Sequence, residues 1–167
     1  MSVRVIGIAG WKNSGKTTLT ERLVAELVGR GWRVSTVKHA HHDADVDREG
    51  TDSFRHRRAG ASEVLLATGR RWALMHELRG EDEPPLDALL ARLSPCDLVV
   101  VEGFKGGDHP KIEARRLAAK DTAPLPPSAN VVAIAADHEV ADAAVPVFAL
   151  DDVAALADFV ETAMRMR

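Results

Sequence analysis

The stretch Gly10-Trp11-Lys12-Asn13-Ser14-Gly15-Lys16-Thr17 decides the fold of this 167-residue chain. It lies between the apolar run 3–9 and residues 19–27, whose apolar positions recur with a helical period. A glycine-bounded turn between a strand and a helix, ending in Gly-Lys-Thr, is the context that a phosphate-binding loop requires. Its amide hydrogens would point inward, and the helix would add its positive N-terminal end. The stretch therefore predicts binding of a nucleoside triphosphate.

The residue types within this loop suit the chemistry of a polyphosphate. Lys16 is predicted to reach the terminal phosphates as a catalytic cation, and the Thr17 hydroxyl is predicted to ligate Mg²⁺. The nucleotide-binding residues predicted from the motif are Gly10, Trp11, Lys12, Asn13, Ser14, Gly15, Lys16, Thr17 and Thr18. A bulky ring is unusual inside such a loop, so Trp11 is expected to pack over the nucleotide or against a partner.

Composition narrows the functional classes. A net charge of −3, with 46% hydrophobic and 28% charged residues, is typical of a globular domain and gives no indication of a nucleic-acid or anionic-membrane partner. Cys96 is the single cysteine, which rules out an internal disulfide and suits a reducing compartment. No apolar run approaches the ~20 residues that span a bilayer. We expect one cytoplasmic nucleotide-binding domain over residues 1–167.

The rest of the chain predicts an α/β fold: a mostly parallel sheet sandwiched by helices, similar to P-loop nucleoside triphosphatases. After the first strand, the expected helices are about 17–30, 52–59, 86–93 and 153–166. The further expected strands are 33–39, 97–103, 130–135 and 146–149, and 109–116 reads as a strand or a loop. Residues 63–68 and 71–76 predict a β-hairpin that adds an antiparallel edge to the sheet.

Two carboxylates are expected at the edge of the sheet that carries the phosphate loop. Glu102 ends the apolar strand 97–103, and Asp137 follows the buried strand 130–135. Ligands of open α/β sheets bind beyond the carboxyl ends of the strands, so Glu102 is predicted to meet Mg²⁺ or the attacking water; a solvated acid is the alternative. Asp137 would accept from guanine N1–H and the exocyclic amine, a donor pair that adenine lacks. The Asn-Lys signature common at guanine sites is absent.

Each of two polar clusters is compatible with more than one function. The first contains His39, His41, His42 and Asp43. Its ligand types lie on adjacent positions, so a loop facing the nucleotide is favoured over a transition-metal site. The second contains Ser53, Arg55, Arg57 and Arg58. It either presents cations to a second phosphate-bearing ligand or forms a solvated helix face.

Several short motifs occur together along the chain. They are residues 10–18, Val37-Lys38-His39 with His41-His42, Gly50-Thr51-Asp52-Ser53 with Arg58-Ala59-Gly60-Ala61, Val101-Glu102-Gly103-Phe104-Lys105, and Pro110-Lys111-Ile112. In this combination the sequence resembles the molybdopterin-guanine dinucleotide biosynthesis protein B family (MobB) from about residue 3 to residue 137. The phosphate loop alone is common to many families, whereas the joint occurrence of the other motifs is far more specific.

The resemblance implies a dimeric GTP-binding protein with weak GTPase activity at most, which assists the nucleotidyltransferase that attaches GMP to molybdopterin. By this analogy residues 10–18 hold the phosphates, Thr17 and Glu102 serve Mg²⁺, and Asp137 occupies the base-reading position. Glu102 stands where many phosphate-loop proteins carry Asp. No residue identifies itself as a water-positioning Gln or an arginine finger, so efficient hydrolysis is not expected.

Two other functions are compatible with the sequence. A small-molecule kinase would transfer a γ-phosphate to an acceptor near Arg55, Arg57 and Arg58, with Arg115-Arg116 as candidate lid arginines. A GTP-dependent metal chaperone would use the histidines around His41 as its delivery site. Rapid GTP consumption that depends on a metabolite would favour the kinase, and retention of nickel or zinc would favour the chaperone.

Overall fold

The structure is a computed structural model that describes residues 3–40 and 46–165. Its chain contacts divide it into two compact units: Met1–His39 with Leu86–Arg167, here called the sheet unit, and Ala40–Pro85, called the hairpin unit. The predicted histidines at positions 41 and 42 and the acid at position 43 lie outside the described residues. The single nucleotide-binding domain stays a prediction.

Secondary structure follows the order expected from the sequence. The elements are β1 (Val5–Ala9), α1 (Lys16–Gly29), β2 (Val34–Lys38), α2 (Asp52–Arg58), β3 (Glu63–Ala67), β4 (Trp72–His76), α3 (Leu86–Leu90), β5 (Leu98–Glu102), β6 (Lys111–Arg115), a 3₁₀ turn (Pro127–Ala129), β7 (Val131–Ala136), β8 (Val147–Ala149) and α4 (Val153–Arg165). The ambiguous segment 109–116 therefore contains a strand.

In the described part of the sheet unit, six strands form one parallel sheet in the order β2-β5-β1-β6-β7-β8. This arrangement confirms the predicted α/β fold with a parallel sheet. β5 lies between β2 and β1, and all five of its residues are buried, as expected of a central strand with an apolar sequence. β1 has β5 on one side and β6 on the other, so the residues that follow these three strands gather at one edge.

Helices α1 and α4 cover one side of the sheet. The apolar positions of α1 recur every four residues, so they form one stripe along the helix. The buried cluster includes Leu19, Leu23 and Leu27 of α1, Leu156 and Val160 of α4, and Ile6, Ile8, Leu98 and Val100 of the strands. Burying each of the leucines contributes about 1.5–3 kcal/mol, so this cluster fixes α1 behind the phosphate loop.

Polar side chains lie on the opposite side of the sheet. Lys111 is fully buried, and its ammonium group donates to the backbone carbonyls of Gly107 at 2.8 Å and His109 at 3.0 Å. The stem of Lys111 runs across β1 so closely that a Cβ at Gly7 would lie 2.7 Å from its Cγ. Gly7 is therefore required by the approach of Lys111, and Lys111 in turn anchors the loop between β5 and β6.

The hairpin unit contains the predicted hairpin, with Leu65 paired to Leu74. Thr68 stabilises its turn, because its hydroxyl accepts from the N–H groups of Arg70 and Arg71. The expectation that the hairpin extends the main sheet is wrong: β3 and β4 pair with each other in a sheet of their own. The turn residues encode the hairpin locally, but nothing local specifies which strand would pair with its outer edge.

Candidate functional site

The loop between β1 and α1 has amide hydrogens available for an anion. Of the N–H groups of residues 11–15, only that of Ser14 has an acceptor within the described chain, the Trp11 carbonyl at 3.3 Å. α1 then begins without a side-chain cap and without an acidic residue in its first turn. Unpaired amides at the positive end of a helix are the donors that bind phosphate.

Gly10 fixes the shape of this loop. Its φ is +150°, a conformation that residues with a side chain rarely adopt. A Cβ at Gly10 would also lie 2.5 Å from the Ala114 carbonyl oxygen and 2.6 Å from the Ser14 hydroxyl. That hydroxyl is buried and has no hydrogen-bond partner among the residues described. Asn13, with φ +64°, supplies the left-handed bend at the tip of the loop.

Lys16 folds back over the loop. Its ammonium group donates to the Trp11 carbonyl at 2.6 Å. Burial lowers the pKa of Lys16; the Glu102 carboxylate opposes this shift, and the ammonium groups of Lys105 and Lys38 add to it. The cation thus rests on a neutral carbonyl, and a phosphate oxygen is a stronger acceptor for it.

The structure brings the two predicted metal ligands together. The Thr17 hydroxyl donates to Oε1 of Glu102 at 2.8 Å, and Nζ of Lys38 lies 3.5 Å from the same oxygen. Glu102 is only 8% exposed, so its carboxylate is held in place at the end of β5. A hydroxyl and a carboxylate oxygen are the hard ligands that Mg²⁺ prefers, so this pair fits that ion.

The loop after β5 contributes a residue that the sequence did not single out as a site residue. Lys105 places its ammonium 3.8 Å from the centre of the Trp11 ring, and Trp11 donates from Nε1 to the Ala123 carbonyl at 2.6 Å. Phe104 packs against the imidazole of His39 with 4.5 Å between ring centroids. The signal for Lys105 was its place three residues after Glu102, at the carboxyl end of a central strand.

Asp137 lines a cavity of about 680 Å³ together with Gly15 and Thr18 of the phosphate loop. Its Oδ1 is 2.9 Å from both the Leu117 N–H, which donates to it, and Nδ1 of His138. These bonds, that of His138 first and that of Leu117 second, lower the pKa of Asp137. The other lining residues are Leu19, Arg22, Arg116, Ala136, His138, Val147, Phe148, Ala149, Leu150 and Asp151.

Each of the two arginine groups of the kinase hypothesis contains an arginine that is already bound to a carboxylate. In the hairpin unit, a cavity of about 1020 Å³ is lined by Arg55, Arg57, Arg58 and Arg79. Arg57 is 3.3 Å from Asp47 and 2.7 Å from Glu77, and is therefore neutralised. In the sheet unit, Arg115 is held by Glu113 at 2.8 Å.

Within the described residues, no group of three or more His, Cys, Asp or Glu side chains is placed to hold a metal ion. Because His41 and His42 lie outside this range, the metal-chaperone hypothesis stays a prediction. Among the helices described, none is both long and apolar enough to cross a bilayer.

Comparison with known proteins identifies relatives of this chain. The family model described as molybdopterin guanine dinucleotide synthesis protein B (MobB) matches residues 5–137. Two proteins named molybdopterin-guanine dinucleotide biosynthesis adapter protein are each 40% identical over 161 residues, or 95% of this chain: one from Escherichia coli strain K12, 91% covered, and one from Haemophilus influenzae, 88% covered. The crystal structure of a MobB homolog from Bacillus stearothermophilus superposes with a TM-score of 0.74 and 33% identity, over 98% of this chain and 99% of that one.

Proposed function

The chain belongs to the molybdopterin guanine dinucleotide synthesis protein B family, and we propose that it is a GTP-binding adapter in the assembly of the molybdenum cofactor. It would bind GTP at residues 10–18 and assist the nucleotidyltransferase that joins GMP to molybdopterin. The observation that carries this proposal is the open phosphate loop, whose unpaired amides lie beside Lys16 and the Thr17–Glu102 pair.

Binding would begin with an exchange of acceptors at Lys16. The ammonium group would leave the Trp11 carbonyl and donate to a terminal phosphate, while the unpaired amides of residues 11, 12, 13 and 15 would donate to the oxygens beside it. Hydrogen bonds to a charged group contribute about 1.5–3 kcal/mol each, so several converging bonds give the loop its affinity. The free loop therefore loses only one neutral contact when it binds an anion.

Thr17 and Glu102 would hold Mg²⁺. When bound, the ion neutralises charge on the phosphates. The sequence contains no glutamine that could orient an attacking water, and Glu102 already lies within reach of Thr17 and Lys38. We therefore expect slow GTP hydrolysis, which suits a protein that binds and hands over more than it turns over.

Asp137 would read the base from the 680 Å³ cavity. Both lone pairs of its Oδ1 are directed to Leu117 and His138, so Oδ2 is the atom that would accept from guanine. Oδ2 lies 4.0 Å from Nε of Arg116, beyond hydrogen-bond distance. Adenine offers no donor pair of this kind, and the arrangement therefore favours GTP over ATP.

The partner proposals concern the surface of the hairpin unit. Large apolar side chains are exposed there. Leu65, Trp72 and Leu74 lie on one face of the hairpin, because Leu65 pairs with Leu74 and Ala67 with Trp72, and Leu66 lies on the other face. Contiguous exposed apolar side chains mark protein interaction sites. They support a homodimer or a complex with the partner nucleotidyltransferase. We propose that this protein acts in the cytoplasm. The kinase alternative has less support, because Arg57 and Arg115 are already bound to carboxylates.

Calorimetric titration with GTP and ATP, each with and without Mg²⁺, tests the proposal. We expect GTP to bind more tightly than ATP, and Mg²⁺ to strengthen binding. In Glu102→Gln the effect of Mg²⁺ should shrink, whereas the exposed Glu21→Gln on α1 serves as the control and should retain it. Failure of the wild type to bind either nucleotide would contradict the proposed function.

A further inference from the structure

Arg116 lies where two cavities of the sheet unit meet. Strand β6 pairs with β1 on one side, with Glu113 opposite Ala9, and with β7 on the other, with Arg115 opposite Ala136. The residue after β6 therefore lies between the phosphate loop and Asp137. Arg116 lines both the 680 Å³ cavity and a cavity of about 390 Å³ formed by Asn13, Gly15, Lys16, Thr17 and Thr18.

The guanidinium of Arg116 lies against the phosphate loop. A Cβ placed on Gly15 would be 3.5 Å from its Cζ and 3.6 Å from its Nε. The group lies beside Gly15, which precedes α1, and its ion-pair partner in the described chain is Asp137, at 4.0 Å. None of its five N–H donors has a hydrogen-bond acceptor among the described residues, although the side chain is only 42% exposed.

The neighbouring arginine shows the contrasting case. Arg115 donates to Oε2 of Glu113 at 2.8 Å and is 15% exposed. Glu113 also accepts from the Leu125 N–H at 2.9 Å. Arg115 is thus tied to a buried carboxylate that holds the following loop in place. Among the described residues Arg116 has no such hydrogen bond, so its N–H donors are available to an anion in the two cavities that it lines.

We propose that Arg116 binds the phosphate adjacent to the nucleoside, which is the α-phosphate of a guanosine 5′-phosphate or of another nucleoside 5′-phosphate. The inference rests on the proposed function and adds a residue to the same site. Lys16 and Thr17 line the smaller cavity, which suits the terminal phosphates, and the larger cavity lies on the nucleoside side. Arg116 borders both, and its planar guanidinium matches two phosphate oxygens at once.

The test compares GMP, GDP and GTP binding to wild type, Arg116→Ala and Arg116→Lys. Arg33→Ala is the matched control, because it removes an arginine of the same unit whose partner, Asp97, precedes β5. We expect Arg116→Ala to weaken all three nucleotides by a similar factor of about 10 or more. Arg116→Lys should restore part of the loss, and Arg33→Ala should show none.

Three outcomes would overturn the inference. Unchanged affinities in Arg116→Ala would remove the residue from the site, and a loss confined to GTP would place it at the terminal phosphate. A fall in hydrolysis rate with unchanged affinity would make it an arginine finger. If Arg116→Ala lowers the melting temperature, the affinities of Arg116→Lys for GMP, GDP and GTP decide whether Arg116 contacts the phosphate that the three ligands share. If the wild type binds no nucleotide, the proposed function is overturned as well. If the wild type binds nucleotide and Arg116→Ala binds it with the same affinity, this inference alone is overturned.

Discussion

Each of the two compact units partly buries a cation, but the acceptors of the two cations differ in charge. In the hairpin unit, Arg57 is 14% exposed and lies between two carboxylates, those of Asp47 and Glu77. In the sheet unit, Lys16 is half-buried and donates to the neutral Trp11 carbonyl. A cation bound to carboxylates contributes to structure, and removing it leaves unpaired buried charge. A cation resting on a carbonyl keeps its charge available, and we infer that this difference separates a binding lysine from a structural arginine.

The largest effect that would test this contrast is expected from Lys16→Ala. GTP affinity should fall by about 3 kcal/mol or more, roughly 100-fold, because the lysine and its converging phosphate contacts are lost together. The melting temperature should stay the same, since the acceptor of Lys16 among the described residues is a neutral carbonyl. Calorimetry and thermal melting measure the two quantities, with the exposed Lys120→Ala as control. An unchanged GTP affinity would contradict the assignment of the site.

Arg57→Ala should show the reverse behaviour. The free energy of unfolding should fall by about 2–3 kcal/mol, because Asp47 and Glu77 lose a cation that balances their charge in a mostly buried position. GTP affinity should not change. The control is Arg55→Ala, whose side chain is 75% exposed and whose ion pair with Asp52 spans 3.8 Å; exposed pairs of this kind contribute about 0–1 kcal/mol. Urea unfolding measures the free energy of unfolding of both variants. If Arg57→Ala and Arg55→Ala lose the same free energy, Arg57 has no special structural role.

Asp137→Asn tests whether Asp137 selects the base in the 680 Å³ cavity. Its Oδ1 should still accept from Leu117, whereas a donating amide would face the base in place of Oδ2. We expect the preference for GTP over ATP to shrink about tenfold, equivalent to about 1.4 kcal/mol. Asp142→Asn, a change at an exposed left-handed position that asparagine tolerates, is the control. A variant that still selects GTP would exclude Asp137 from base recognition.

The smallest expected effect concerns His109, which is held neutral beside Lys111. Burial, and then the Lys111 ammonium, lower the pKa of His109 from 6.5 to about 4, against the pull of Asp108. Because its folded-state pKa is the lower one, the unfolded chain takes up the proton first as the pH falls. The free energy of unfolding should therefore decline between about pH 6.5 and pH 4 and be fully recovered above that range.

Comparison of wild type with His109→Gln isolates this contribution, since the other titrating groups are common to both. Urea midpoints measured at several pH values should show a steeper acid decline in the wild type. Parallel curves would mean that His109 titrates in the folded protein as it does in the unfolded chain.

Local sequence carried enough information for the phosphate loop, for the central strands and for the meeting of Thr17 with Glu102. Those two residues are 85 positions apart and 2.8 Å from each other. The encounter was predictable because parallel strands end at the same edge of a sheet. The roles of Arg115 and Arg116 were not, because adjacent arginines look alike in sequence and only the position of Glu113 separates them.

Two further features depended on long-range pairing that no local pattern specifies. Lys111 is an unexpected buried lysine, and its acceptors are carbonyls of a loop whose course the sequence does not reveal. The turn of the hairpin could be predicted from Gly69-Arg70 between the segments 63–68 and 71–76, but its separate two-stranded sheet could not. Buried polar groups and strand partners are decided by tertiary contacts, which override local preference.

The placement of Trp11 makes the phosphate loop optically observable. Its indole is bonded to Ala123 and lies under the Lys105 ammonium, so the electric field across the ring depends on where that cation rests. A bound polyphosphate that attracts Lys105 would change this field, and we therefore expect the fluorescence of the indole to change with it. Trp32, bonded to Glu161, and Trp72, in the other unit, supply a steady background. The chain thus carries its own label-free reporter of whether the loop is filled.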